Sequence, residues 1–185
     1  MRRSMIPVVL LGVAGLWTGS AVAQESRVIL DLHGGLDVPT FDFADVRDPG
    51  PAVGGGVWYS LGQGHWQVGV ESDVGFHGKD KGVTHLLVRA GYVFQPSDGG
   101  RTRLMLNAGT GLIRIRRPEI SIPSFGVHVR ARTDNEFGVN GGAKLMYGLT
   151  SGVDLVLSLQ GDVAIRGDAY DPWVWPVSAG LRIRL

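Results

Sequence analysis

The 185-residue chain carries 18 Lys and Arg against 17 Asp and Glu, no cysteine and 29 glycines. That length suits one domain, and near-balanced charge without a basic patch of interleaved aromatics excludes a nucleic-acid binder. With no cysteine, disulfides are excluded too, so the fold must be held by ladders of hydrogen bonds and by packing.

Residues 1–23 read as a secretory signal peptide. Arg2 and Arg3 give a positive start, Met5 to Trp17 an apolar segment, and Ala21-Val22-Ala23 a small-x-small cleavage site. Residues 24–185 are then the mature domain, slightly acidic once the two arginines leave. No later stretch reaches the roughly eighteen continuous apolar residues of a membrane helix, so a mature chain that enters a membrane does so as a closed sheet.

Period-two alternation predicts eight strands. The first runs from about Arg27 to Val38, with Leu30, Leu32 and Leu36 on one face and Asp31, His33 and Asp37 on the other; Pro39, which cannot donate to a ladder, is expected to end it. The second, Ala52 to Leu61, is glycine-rich, with Val53, Val57, Tyr59 and Leu61 on its apolar face. The third, Trp66 to His77, sets Trp66, Val68, Val70, Ser72, Val74 and Phe76 against Gln67, Glu71, Asp73 and His77. Its length is close to the roughly 9 to 11 residues that a tilted strand needs to cross a bilayer.

The fourth strand, Val83 to Phe94, sets Leu86, Val88, Ala90 and Tyr92 against His85 and Arg89. In the fifth, from Thr102, Leu104, Leu106 and Leu112 oppose Arg103, Met105 and Asn107. Alternation falters at Ile113 to Arg117, which reads as a strand rising past the membrane, with a bulge as one explanation. Pro118 to Asn135 is the longest irregular stretch. Glu136 to Leu149 then places Lys144 opposite in parity to Leu145 and Tyr147, Val153 to Ile165 carries Asp154 and Asp162 on its polar face, and Trp173 to Leu185 carries Arg182 and Arg184 on its own.

The links after strands one, three, five and seven are generally longer than the tight ones after two and six, although the link after four is no shorter than the one after three. That asymmetry suits an outer-membrane barrel with both termini in the periplasm. Aromatics decide which face is outside. Tyr59, Trp66, Tyr92, Phe94 and Tyr147 fall at lower strand ends, and Phe76, Phe137, Trp173 and Trp175 at upper ends, making two girdles around an aliphatic belt. A soluble ligand barrel would instead place large aromatics mid-strand inside and many lysines and glutamates outside. The expected fold is all-β: an eight-stranded antiparallel up-and-down transmembrane β-barrel.

By this pattern the mature chain resembles the small outer-membrane β-barrel family typified by the OmpA-like transmembrane domain. The closing Ser178, Gly180, Ile183 and Leu185 resemble the C-terminal signal read by the barrel-assembly machinery, with Leu185 standing where an aromatic is commoner. The resemblance implies outer-membrane lipid, lipopolysaccharide and the assembly machinery as partners, a monomer, a place in the outer membrane and no cofactor.

For chemistry, the inward parity supplies a candidate salt-bridge network of Glu71, Arg89, Asp73, Arg103, Lys144, Asp162 and Arg182. Aligning strands three and four about their short loop predicts Glu71 opposite Arg89. Such a network would plug the barrel, since eight strands leave room inside only for side chains; a gate or selectivity point is the functional alternative. His77 and His85 are expected a diagonal apart near one rim, where Asp73 or Asp80 would be needed to complete a metal site; histidines titrating in a polar lumen are the ordinary reading, and no metal site is assigned.

A lipid-deacylating barrel needs His and Ser together on the lipid face, whereas Ser72 faces outward alone and the strand histidines face inward, so no catalytic residues are assigned. Arg166-Gly167-Asp168 is a chance-prone adhesion tripeptide, and the third loop's arginines suit an anionic surface or partner. The expected role is structural or interactive, with surface loops exposed outside the cell. A narrow pore for ions or small solutes and a lipid A-modifying enzyme are the alternatives.

Overall fold

The computed structural model describes residues 27–40, 48–62, 65–78, 81–96, 100–117, 119–122, 127–165 and 173–185. The signal segment, Asp80 and the Arg166-Gly167-Asp168 tripeptide lie outside the described residues. The strands are β1 (Val28–Thr40), β2 (Gly50–Leu61), β3 (Trp66–Phe76), β4 (Gly82–Phe94), β5 (Thr102–Arg117), β6 (Ile120–Ile122), β7 (Val127–Val129), β8 (Arg132–Gly148), β9 (Val153–Ile165) and β10 (Trp173–Arg184). Eight of them close into an antiparallel barrel in the order β1-β10-β9-β8-β5-β4-β3-β2, while β6 and β7 pair separately between β5 and β8. Every wall strand pairs with its chain neighbour, β5 with β8 across that ribbon, and β1 with β10 closes the ring, so the wall has no unpaired edge.

Alternation sorts the side chains with little ambiguity. Outward-facing Leu32, Val88 and Trp66 are 60%, 60% and 57% exposed, whereas inward-facing Glu71, Lys144 and Arg182 are 1%, 2% and 1% exposed. Large apolar groups outside and ions inside invert a water-soluble protein, and they stabilise a barrel only where its wall meets hydrocarbon. Among the described residues there is no helix, so the strands are what cross. At the lower rim, which carries the chain ends of β1 and β10, Tyr92 packs edge-to-face on Trp66 with centroids 5.1 Å apart and on Phe94 at 4.7 Å.

Three boundaries differ from expectation. Strand β1 runs through Pro39 to Thr40, because pairing with β10 continues to Thr40↔Trp173 after pairing with β2 has stopped at Asp37↔Gly50. Strand β5 continues through Ile113 to Arg117 as expected, but without a bulge: its register with β8 is unbroken from Thr102↔Tyr147 to Arg117↔Arg132. What changes there is polarity, not parity. Ile113 and Ile115 turn inward and are buried, while Arg114 and Arg116 turn outward beyond Leu112. Finally, much of the predicted irregular stretch is ordered ladder, with β8 beginning at Arg132 and the β6–β7 ribbon above it. Near the other end, Pro176 leaves a gap in the β9–β10 ladder, which passes from Val174↔Asp162 to Val177↔Leu159, as expected for a residue without an N–H.

Candidate functional site

The lumen is filled in three layers. The lower layer is apolar: Ile29, Trp58, Val93, Met105, Met146 and Val156 pack together near the rim that holds the chain ends. The upper layer is apolar on the side of β4, β5 and β9, where Val83, Ile113, Ile115 and Ala164 pack together, while buried Asp37 and His77 fill the same height over Gly75. Between them lies a chain of ionised groups drawn from six strands.

That middle layer is organised around Glu71. Its Oε1 accepts from the Lys144 ammonium and, at 2.9 Å, from Trp58 Nε1, and its Oε2 accepts from Arg89 Nη1. Lys144 Nζ also donates to Asp31 Oδ2 at 2.8 Å, and Asp31 Oδ1 faces Arg182 Nε at 3.0 Å. On the other side Arg89 Nη2 stands 3.9 Å from both Asp73 Oδ2 and Asp162 Oδ1. Asp162 pairs with His85 Nδ1 and accepts from Asn140 Nδ2, and Asp73 pairs with His33 Nε2. Each buried charge therefore meets an opposite one, the condition under which charges survive away from water. Such a layer is a poor source of net stability compared with an apolar core, but it penalises any register that would strand one of its members.

Trp58 joins the ionic layer to the lower lid. Its indole lies 4.8 Å from Lys144 Nζ and 5.5 Å from the Arg182 guanidinium, measured to the ring centroid, within cation–π range. Below, Arg182 Nη1 reaches Met146 Sδ at 3.1 Å and Met105 Sδ at 3.6 Å. Inward glycines make the space. A Cβ at Gly69 would stand 2.5 Å from the Trp58 ring, one at Gly56 2.4 Å from Glu71 Cγ, and one at Gly109 2.6 Å from Arg89 Cγ. Glycine on the polar face is thus the counterpart of a bulky neighbour across the ladder, which explains why this face is so rich in it.

Of the residues singled out from sequence, Glu71, Arg89, Lys144, Asp162, Asp73 and Arg182 come together in this layer. Glu71 and Arg89 are not directly opposite, however. Glu71 pairs with Leu87 and Arg89 with Gly69, so their contact runs along a diagonal. Arg103 stands apart, at the lower rim, where it and Arg184 share Asp154. His77 and His85 are not partners either: His85 faces Asp73 in the ladder, whereas His77 Nδ1 lies 2.9 Å from the Asp48 carbonyl and its Nε2 3.6 Å from Asp37. Among the described residues no group of three His, Asp or Glu side chains is arranged to hold a metal ion. In the closing strand, Ser178 and Gly180 stand opposite Gly35 and His33, Ile183 opposite Leu30, and the Leu185 N–H donates to the Val28 carbonyl at 2.9 Å. Sequence reasoning missed Trp58. Its signal was an aromatic on the polar parity of a glycine run, the reverse of every girdle aromatic.

A closed antiparallel barrel with an aliphatic belt, two aromatic girdles and an ion-filled lumen defines a small membrane-spanning β-barrel. The chain belongs to the outer membrane protein beta-barrel domain family, whose model matches residues 8–182. No curated protein matches the sequence at a significant level. Among solved structures it is similar to the N-terminal β-barrel domain of Pseudomonas aeruginosa OprF, with a TM-score of 0.60 at 17% identity over 86% of this chain and 98% of that one. It is also similar to Neisserial surface protein A, with a TM-score of 0.59 at 11% identity over 86% and 97%. A third likeness is to Ail, the attachment invasion locus protein of Yersinia pestis, with a TM-score of 0.51 at 15% identity over 86% and 100%. At these identities the likeness is one of fold.

Proposed function

We propose that the protein is a non-conducting, non-enzymatic barrel of the outer membrane, exported by cleavage after Ala23, that serves as a structural and interaction element through its outward surface. The observation that carries this reading is the filled lumen, in which a buried ion network is packed against apolar side chains below and against an apolar cluster with the buried His77–Asp37 pair above. A solute entering the barrel would have to break paired buried charges, and a continuous water path is what a pore requires. The lipid face supports the non-enzymatic part: Ser72 is flanked in the ladder by Gly55 and Leu86, with no histidine beside it.

The interactive part rests on the β5–β8 extension. Arg114 and Arg116 project outward immediately above Leu112, with exposed Arg132 nearby on β8. Guanidiniums at that height suit the phosphates of lipopolysaccharide in an outer leaflet. The closed wall supports a monomer, and β10, which seals it, is the strand the barrel-assembly machinery would read. Liposome swelling tests the reading: vesicles bearing the refolded protein are expected to take up small sugars no faster than empty ones, and lipid A mass spectra are expected to be unchanged by expression. Sugar-dependent swelling would refute the first part, and a new lipid A species the second.

A further inference from the structure

Below the lower lid the lumen opens into a cavity of about 370 Å³, walled by the β4–β5 turn, the β8–β9 turn and the ends of β5, β9 and β10. Its described lining is rich in guanidiniums. Among the described residues, Arg101, Arg103 and Arg184 line it, against the carboxylate of Asp154. Arg184 Nη2 donates to both Asp154 oxygens, at 2.9 and 2.7 Å, while Arg103 pairs with Oδ1 of the same group. Arg184 Nη1 is held by the Ser151 carbonyl at 2.6 Å. Asp154, 1% exposed, thus fixes two guanidiniums in place without neutralising them, and exposed Arg101 adds a third cation at the mouth.

We propose that this cavity is a binding site for a compact phosphate-bearing anion. The inference stands on the rim geometry and is independent of whether the lumen above conducts. Guanidiniums present planar forks that match phosphate oxygens, and two of them pre-ordered by a shared buried carboxylate lose little freedom when a ligand arrives. The volume lies at the small end of the range of ligand pockets. Leu149 lines the cavity while remaining exposed on the outer wall, so the mouth is continuous with the bilayer interface. The phosphate can therefore belong either to a soluble phosphate ester or to the headgroup of an inner-leaflet phospholipid.

The test uses the full mature chain refolded in zwitterionic detergent. Isothermal titration with glycerol 3-phosphate is compared at constant ionic strength with titration by glycerol, and nanodiscs of pure phosphatidylcholine are compared with discs containing phosphatidylglycerol by thermal unfolding. Saturable binding of glycerol 3-phosphate assigns a soluble ligand; stabilisation by phosphatidylglycerol alone assigns a headgroup. Either is expected to weaken about tenfold or more in Arg101→Gln, the loss of one charge-assisted contact. Because Arg101 lies in an exposed turn, that variant keeps the fold, checked by heat-modifiable gel migration; Arg103→Gln serves as a second variant. Absence of saturable binding in both formats, or binding that both variants retain in full, overturns the site.

Discussion

The middle of the barrel and the top of the β5–β8 pair use the same ladder with opposite polarity. At mid-height Val88 and Thr110 face outward while Arg89 and Glu71 are buried inside. Above Leu112, Ile113 and Ile115 are buried inside while Arg114 and Arg116 face outward. The hydrogen-bonded register does not notice the change, since it continues unbroken to Arg117↔Arg132. The medium outside is what differs: hydrocarbon along the belt, and water and headgroups above the girdle. Backbone pairing sets which side chains share a face, and the surrounding medium decides which of the two faces is apolar.

This contrast can be broken most sharply from inside. Glu71→Ala removes the acceptor of Arg89, Lys144 and Trp58 together. Leaving buried cations without that partner is expected to cost about 3–5 kcal/mol, read as a lowered unfolding midpoint in urea with the barrel in lipid vesicles. An unchanged midpoint would mean that the ion layer is not buried. From outside, Val88→Arg puts a charge at the centre of the belt and is expected to cost about 2–4 kcal/mol by the same measurement. A cost near zero would show that Val88 does not face acyl chains.

Smaller effects separate the upper end from the middle. Ile113→Val trims the upper lid, where a Cβ at Gly138 would stand 2.4 Å from Ile113 Cδ1, so the side chain is tightly seated. It is expected to cost about 0.5–1.5 kcal/mol, and a larger loss would show that the lid, not the ion layer, holds the barrel. Arg114→Ser removes an exposed guanidinium that donates to Asn135 Oδ1 at 2.9 Å. It is expected to move stability by less than about 0.5 kcal/mol, while lowering retention on lipopolysaccharide-containing vesicles. Equal retention would remove the proposed role of the extension.

Much of this architecture could be read from alternation. Strands β3, β4 and β9 begin and end within a residue of where the pattern places them, because each keeps one polarity throughout. The top of β5 was obscure because its polarity reverses across Leu112 and Ile113, so a hydrophobic pattern loses its phase while the strand continues. Parity also identified which charged residues point inward, but not their partners. Arg103 and Arg182 share the inward face, yet Arg103 pairs with Asp154 at the rim whereas Arg182, directly between Asp154 and Asp31 in the ladders, gives its Nε to Asp31. Lys144 reaches Asp31 and Glu71 across strands that are not its neighbours. Such contacts depend on how stagger around the ring brings distant strands level, a property of closure that no single strand or hairpin carries. Trp58 was hidden for the same reason, since its role depends on Gly69 opposite and on cations from β8 and β10.

The proposed seal is a layer of paired ions packed between the lower apolar cluster and an upper level of apolar side chains with His77 and Asp37. Single-channel recording in planar bilayers tests it directly, using the refolded mature chain at high reconstitution density with an open porin as positive control. No reproducible conductance steps are expected from the wild-type protein. Stable unitary steps from the correctly folded, heat-modifiable barrel would show a continuous aqueous path through these layers and contradict the account.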